Sequence, residues 1–183
     1  VRQDLGRERL VHLDQVDLTP TGWLKVTGVQ GHVAYPHLAN NPVKGLVKIL
    51  ARFYDAPLDY GSAHFSPSNL EVTTIDVGNP TVNMIPAFAE ARFNVRFNDR
   101  HSTDALKAQL RQQAILALSG TDLEFSLEFD PPSDCFLTEP GPLDALLSEA
   151  VSEITGLTPS LSTDGGTSDA RFIKEYCPVI EFG

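Results

Sequence analysis

Apolar and polar positions along this chain fall into two periods. Leu24, Val26 and Gly28 alternate with Lys25, Thr27 and Val29, which predicts a half-buried strand opening near Trp23. Asn41 followed by Pro42 is a helix start: the amide side chain can take a free N–H, and proline is pre-set for the first turn. Val43, Leu46, Val47, Leu50, Phe53 and Tyr54 recur at helical spacing and predict an amphipathic helix over 42–54. A Gly-, Ser- and Pro-rich loop runs from Asp55 to Ser68, and Leu70 to Val77 reads as a second strand, broken by Gly78-Asn79-Pro80. Residues 89–98 give the sharpest alternation. Ala89, Ala91, Phe93, Val95 and Phe97 face one way, and Glu90, Arg92, Asn94, Arg96 and Asn98 the other. Ser102 caps a helix lined by Leu106, Leu110, Ala114 and Ala117 and closed by Gly120. Leu123, Phe125, Leu127 and Phe129 then alternate with polar neighbours in a last strand.

The resulting order over residues 21–130 is β-α-β-β-α-β. It predicts an α+β, ferredoxin-like domain with one antiparallel sheet and two helices on one face. The polar strand faces should point away from the helices, to solvent or a partner. Asp130-Pro131-Pro132-Ser133 marks a boundary, after which the pattern changes. Pro142 opens a helix with Leu143, Leu146, Leu147, Ala150, Val151 and Ile154 on one side, ended by Gly156. An extended stretch over 157–162, a helix over 168–175 and a strand over 179–182 follow. The expected organisation is an unassigned lead-in over 1–20, one domain over 21–134, and over 135–183 a piece of a second domain too small to close its own core. The chain opens on Val1 and its only methionine is Met84, so it is expected to be part of a longer protein.

Charge narrows the partners. The 183 residues carry 14 Lys and Arg against 24 Asp and Glu, a net charge of -10. Duplex DNA and anionic membranes reward clustered cations, so neither is an expected partner. The strands also lack the basic-aromatic face of an RNA-binding module. No apolar run is long enough to span a bilayer. Two cysteines, Cys135 and Cys177, in a domain-sized chain suggest a reducing, cytoplasmic setting.

Four segments carry candidate chemistry. Gly31-His32-Val33-Ala34-Tyr35-Pro36 lies between the first strand and first helix, and reads either as an ordinary loop or as one presenting His32 and Tyr35 to a ligand. Thr163-Asp164-Gly165-Gly166-Thr167-Ser168-Asp169-Ala170-Arg171 reads either as a capped tight turn or as a carboxylate or phosphate site completed by Thr167 and Arg171. His12-Leu13-Asp14 offers two metal ligands where zinc needs three or four, and His37, His64 and His101 show no carboxylate at a recognisable spacing. Arg92, Asn94 and Arg96 line one polar strand face, which is usually just solvated. A Ser-His-Asp triad, a P-loop and a paired-Cys zinc site are absent.

Taken together, GVQGHVAYPHLANNPV (28–43), VNMIPAFAEARFNVRF (82–97) and STDGGTSDARF (162–172) resemble the succinyl-diaminopimelate desuccinylases, dinuclear zinc amidohydrolases of the wider aminoacylase group. The resemblance spans residues 24–183. It implies a ferredoxin-like lid that makes a homodimer, over 21–134, and a return into the catalytic domain over 135–183. It implies two zinc or cobalt ions in the parent enzyme, held by residues before the lid and after Gly183. None is therefore expected in this chain, which alone should be inactive. The implied substrate is a small dicarboxylate amide, N-succinyl-LL-2,6-diaminopimelate, cleaved with a Glu as general base. His32 is implied to enter the active site of a second copy and to stabilise the tetrahedral intermediate. Tyr35 and Asn83 are similarly placed, and Arg96, Gly166, Thr167 and Arg171 are implied to hold substrate carboxylates. The alternatives are a non-catalytic ferredoxin-like binding module, or a piece of a related acetylornithine deacetylase or aminoacylase.

Overall fold

Phe93 lies at the centre of the larger core, fully buried, with Phe53 and Phe129 against it in edge-on contacts at 5.6 and 6.0 Å. The three rings join a helix and two strands, and aromatic pairs of this geometry add to their area burial. The computed structural model describes residues 11–12, 21–63, 65–130, 141–159, 161–162, 169–173 and 175–182. In chain order the elements are β1 (Val11–His12), β2 (Thr21–Thr27), β3 (Gly31–His32), α1 (Pro42–Tyr54), β4 (Asn69–Asp76), β5 (Met84–Ile85), β6 (Phe88–Arg96), α2 (Thr103–Leu118), β7 (Glu124–Phe129), α3 (Pro142–Thr155), β8 (Leu161–Ser162), α4 (Ala170–Ile173) and β9 (Glu181–Phe182). They fall into two compact units, Leu18–Ser133 and Val1–Asp17 with Asp134–Gly183.

The first unit is a four-stranded antiparallel sheet in the order β4-β6-β2-β7. Two helices pack on one another and on the sheet, as the ferredoxin-like reading requires. Leu24, Val26, Ala89, Ala91, Phe93, Val95 and Leu127 point to the helices. Leu46, Ile49, Leu50 and Phe53 of α1 and Leu106, Leu110, Ala114 and Leu118 of α2 meet them. Each Val, Leu, Ile or Phe among them contributes on the order of 1.5–3 kcal/mol by leaving water, and each Ala less. The caps match their residues: the Asn41 side chain accepts the Val43 N–H at 3.0 Å, and Ser102 Oγ accepts the Ala105 N–H at 3.2 Å.

Three details differ from the pattern. The buried seam of α2 runs through Leu118 and not Ala117, because it steps by four residues each time. In β4 only Leu70 is buried: the strand is an edge, its register shifts between Val72 and Thr74, and its last residues face water. The loops after β2 and β4 meet in an extra antiparallel pair, β3 with β5, which no periodicity announces at two residues each.

In the second unit β1 is the middle strand of a three-stranded sheet, parallel to β8 and antiparallel to β9. α3 ends at Gly156, whose positive φ of 70° suits glycine. Of its apolar side only Val151 is buried, whereas Leu146 and Ile154 are exposed. α4 is shorter than the helix expected over 168–175, and the strand expected over 179–182 is confined to Glu181–Phe182.

Candidate functional site

The β3–β5 pair builds a corner of the sheet unit. After β2 the Gly28 N–H donates to the Ala87 carbonyl at 2.9 Å, and Val29 and Asn40 exchange backbone hydrogen bonds of 2.8 and 2.9 Å. Gly28 is required here: a Cβ would come within 2.1 Å of the Asn40 carbonyl oxygen. The loop pinched off between them carries His32 and Tyr35. His32 pairs with Met84, and the Val33 N–H donates to the Asn83 carbonyl at 3.0 Å. The Tyr35 N–H donates to the His32 carbonyl at 2.9 Å, and Pro36 starts one 3-10 turn over Pro36–Leu38. The rings of His32 and Tyr35 lie 6.0 Å apart, and Tyr35 is 57% exposed. The corner thus brings His32, Tyr35 and Asn83 together, all turned to solvent.

One hydrogen bond sets the chemistry of His32. Its Nδ1 accepts the Ala34 N–H at 3.1 Å. In the neutral ring the proton then sits on Nε2, which is left as an outward donor. Such a group can hydrogen-bond to a carbonyl oxygen that is gaining negative charge.

Arg96 is not part of this corner. It ends β6 on the polar face opposite Asn69, whereas the corner adjoins Phe88 at the strand's start. The eight intervening steps separate the two by roughly 27 Å at ~3.4 Å per residue. Gly166 and Thr167 lie outside the described residues, as does Asp14. Arg171 belongs to α4, with its side chain undescribed. Among the described residues no group of three or more His, Cys, Asp and Glu could hold a metal ion. The described side chains do not fit the dinuclear centre that the resemblance implies.

His101, which has no carboxylate at a recognisable spacing in the sequence, gains one in the fold. His101 Nε2 lies 3.0 Å from Asp59 Oδ2. Asp59 also accepts from the Gly61 N–H at 2.7 Å, the Asn98 amide at 2.8 Å and the Ser68 N–H at 3.2 Å. Burial alone would raise its pKa, but the hydrogen bonds from Ser68, Gly61 and Asn98 outweigh it and lower it from 3.8 to about 2. Arg100 adds a bond from Nε to the Gly61 carbonyl. The network ties the α1–β4 loop to the β6–α2 turn. Its members are too far apart in sequence for spacing to show it.

The sheet, its two helices and the protruding corner define a class. Residues 20–118 match the family model described as "Peptidase dimerisation domain", and the chain belongs to that family. Its curated relatives include the succinyl-diaminopimelate desuccinylases of Xanthobacter autotrophicus, 56% identical over 164 residues, and of Rhodopseudomonas palustris, 52% identical over the same length. The alignments cover 89% of this chain but only 43% and 42% of those proteins, so the chain spans less than half their length. Among solved structures, aminopeptidase PepT from Bacillus cereus superposes with a TM-score of 0.69 at 15% identity, covering 91% of this chain and 43% of that one. Human carnosine dipeptidase 1 gives 0.69 at 13% identity, covering 92% and 48%. At such identities these two show a shared fold. No helix among the described residues is long and apolar enough to cross a membrane.

Proposed function

We propose that this chain supplies the dimer-forming lid and a return segment of a cytoplasmic, metal-dependent amide hydrolase that removes succinate from N-succinyl-LL-2,6-diaminopimelate. The relatives named for that reaction support the substrate. The single observation that carries the role of the lid is the fixed tautomer of His32, with Nδ1 occupied by the Ala34 N–H and Nε2 free to donate. The implied zinc or cobalt ions would polarise the scissile carbonyl from residues outside those described. His32 Nε2–H would donate to the carbonyl oxygen, a bond that strengthens as the oxygen becomes an oxyanion. Tyr35 and Asn83 would border the same substrate. Arg96, Gly166, Thr167 and Arg171 would hold its carboxylates, Arg through its planar fork.

The distance between His32 and Arg96 bears on assembly. One small substrate cannot bridge roughly 27 Å of β6. A site using both therefore draws His32 from one protomer and Arg96 from its partner. The partner is a second copy of this chain. α1 and the edge strand β4 enclose an apolar groove of about 620 Å³ that includes Val47, Leu50, Tyr54, Val72 and Ile75. Val47 and Ile75 are 59% and 61% exposed. An isologous dimer would cover this edge and groove together.

A chimera tests the reading. The 164-residue matching stretch of the Xanthobacter autotrophicus enzyme is replaced by that of this chain. The chimera should release succinate from the succinyl substrate in a metal-dependent way. A folded, dimeric chimera without that activity would refute the proposal.

A further inference from the structure

The open face of the sheet, opposite the helices, holds a second set of charges that the His32 corner does not use. Thr74, Arg92, Trp23 and Glu128 form one row straight across the four strands, since Arg92 opposes both Thr74 and Trp23, and Trp23 opposes Glu128. The next row contains Asp76 and the Lys25–Glu90 ion pair at 2.9 Å. The rows line a cleft of about 450 Å³. The Arg92 guanidinium lies over the Trp23 ring at 5.8 Å. Among the described residues it makes no ion pair and no side-chain hydrogen bond, and neither does the Glu128 carboxylate. The two strand spacings between them, ~10 Å, keep these opposite charges from neutralising each other across the indole. Lys25 and Glu90 beside them are already paired.

We propose that this cleft binds an α-amino-acid head group, with its carboxylate on Arg92, its ammonium on Glu128 and its apolar stem on the Trp23 indole. A guanidinium fork matches a carboxylate, and an indole face under a cation or an aliphatic stem excludes water from both contacts. A ligand carrying both charges satisfies both unpaired groups, whereas a dicarboxylate or a diamine leaves one of them facing its own sign. Diaminopimelate ends in such a head group. Naming it as the ligand rests on the desuccinylase reading, while the head-group chemistry does not.

Trp23 is the only tryptophan, so its emission reports on this cleft alone. The 183-residue chain is titrated with LL-2,6-diaminopimelate, with pimelate, which lacks the amines, and with pentane-1,5-diamine, which lacks the carboxylates. The expected result is a saturable change with diaminopimelate only, weakened about tenfold or more in Arg92→Gln and in Glu128→Gln, each losing a charge-assisted contact. Circular dichroism unchanged from the parent shows that these exposed substitutions leave the fold intact. No saturable change up to tens of millimolar, an equal response to pimelate or the diamine, or variants that bind like the parent would overturn the proposal. A silent Trp23 beside an active chimera sinks this inference and leaves the desuccinylase reading standing. A responsive Trp23 beside an inert chimera does the reverse.

Discussion

Asp59 and His101 lie 3.0 Å apart across two loops, with the Asp59 side chain only 8% exposed. The carboxylate is held ionised by three donors, Gly61 and Ser68 from one loop and Asn98 from the other. Its pKa is lowered from 3.8 to about 2. A lowered pKa means stability that is fully present above the unfolded value and lost as pH falls through the folded one. Denaturant unfolding should therefore show a loss of about 1–2 kcal/mol between pH 4 and pH 2 from this group. Asp59→Asn should be less stable at pH 7 and should lack that part of the acid dependence. A variant with the parent's acid profile would show that the network does not set it.

His32→Ala in the active chimera should lower kcat about a hundred- to a thousandfold with little change in KM, because the lost donor acts chiefly on the developing oxyanion. Mixing His32→Ala chains with chains disabled at the metal centre should restore some activity through heterodimers. Near-normal kcat, or dead mixtures despite proven subunit exchange, would contradict a donor supplied across the dimer.

Val47→Glu or Ile75→Glu should turn a dimer into a monomer without unfolding it, since each puts a charge into the groove beside β4. Sedimentation velocity at roughly tens of micromolar, where a standard-sized interface is populated, reads this directly. Self-association unchanged in both variants would move the interface elsewhere.

Gly28→Ala should destabilise the unit by about 1–3 kcal/mol, because the new methyl collides with the Asn40 carbonyl oxygen and the overpacked backbone must shift. Amide exchange should show the Val29–Asn40 bridge opening first, with the β2 and β6 ladder still protected. A variant as stable as the parent, with the bridge intact, counts against this pinch point.

Most of the sheet unit was legible in the sequence because each element commits one face to the core. The alternation from Ala89 to Val95 and the helical spacing of Leu46, Leu50 and Phe53 report burial directly. The resemblance singles out His32, Tyr35 and Asn83, but nothing in the sequence shows that they meet. Their meeting depends on β3 and β5, whose two-residue strands are too short for any period. The Asp59–His101 pair was missed for another reason: its partners join through loops, where side-chain hydrogen bonds follow the path of the backbone and leave no repeat. The spacing of Leu143, Leu146 and Ile154 marks one apolar side of a helix. Their exposure here shows that a sequence pattern marks what a face is made of, and not which neighbour covers it.

The second unit's sheet has an order-of-assembly consequence. Its middle strand, Val11–His12, precedes the entire four-stranded unit, and both of its partners, β8 and β9, follow it. Among the described residues, no strand pair of that sheet can form until the chain has passed through the four-stranded unit. Closing so long a stretch of free chain carries a large entropy loss, which shrinks once the intervening residues have collapsed into their own core. The four-stranded unit is thus the natural first step in folding. During synthesis, Val11–His12 emerges ahead of both β8 and β9, and the four-stranded unit is complete before either of them is made.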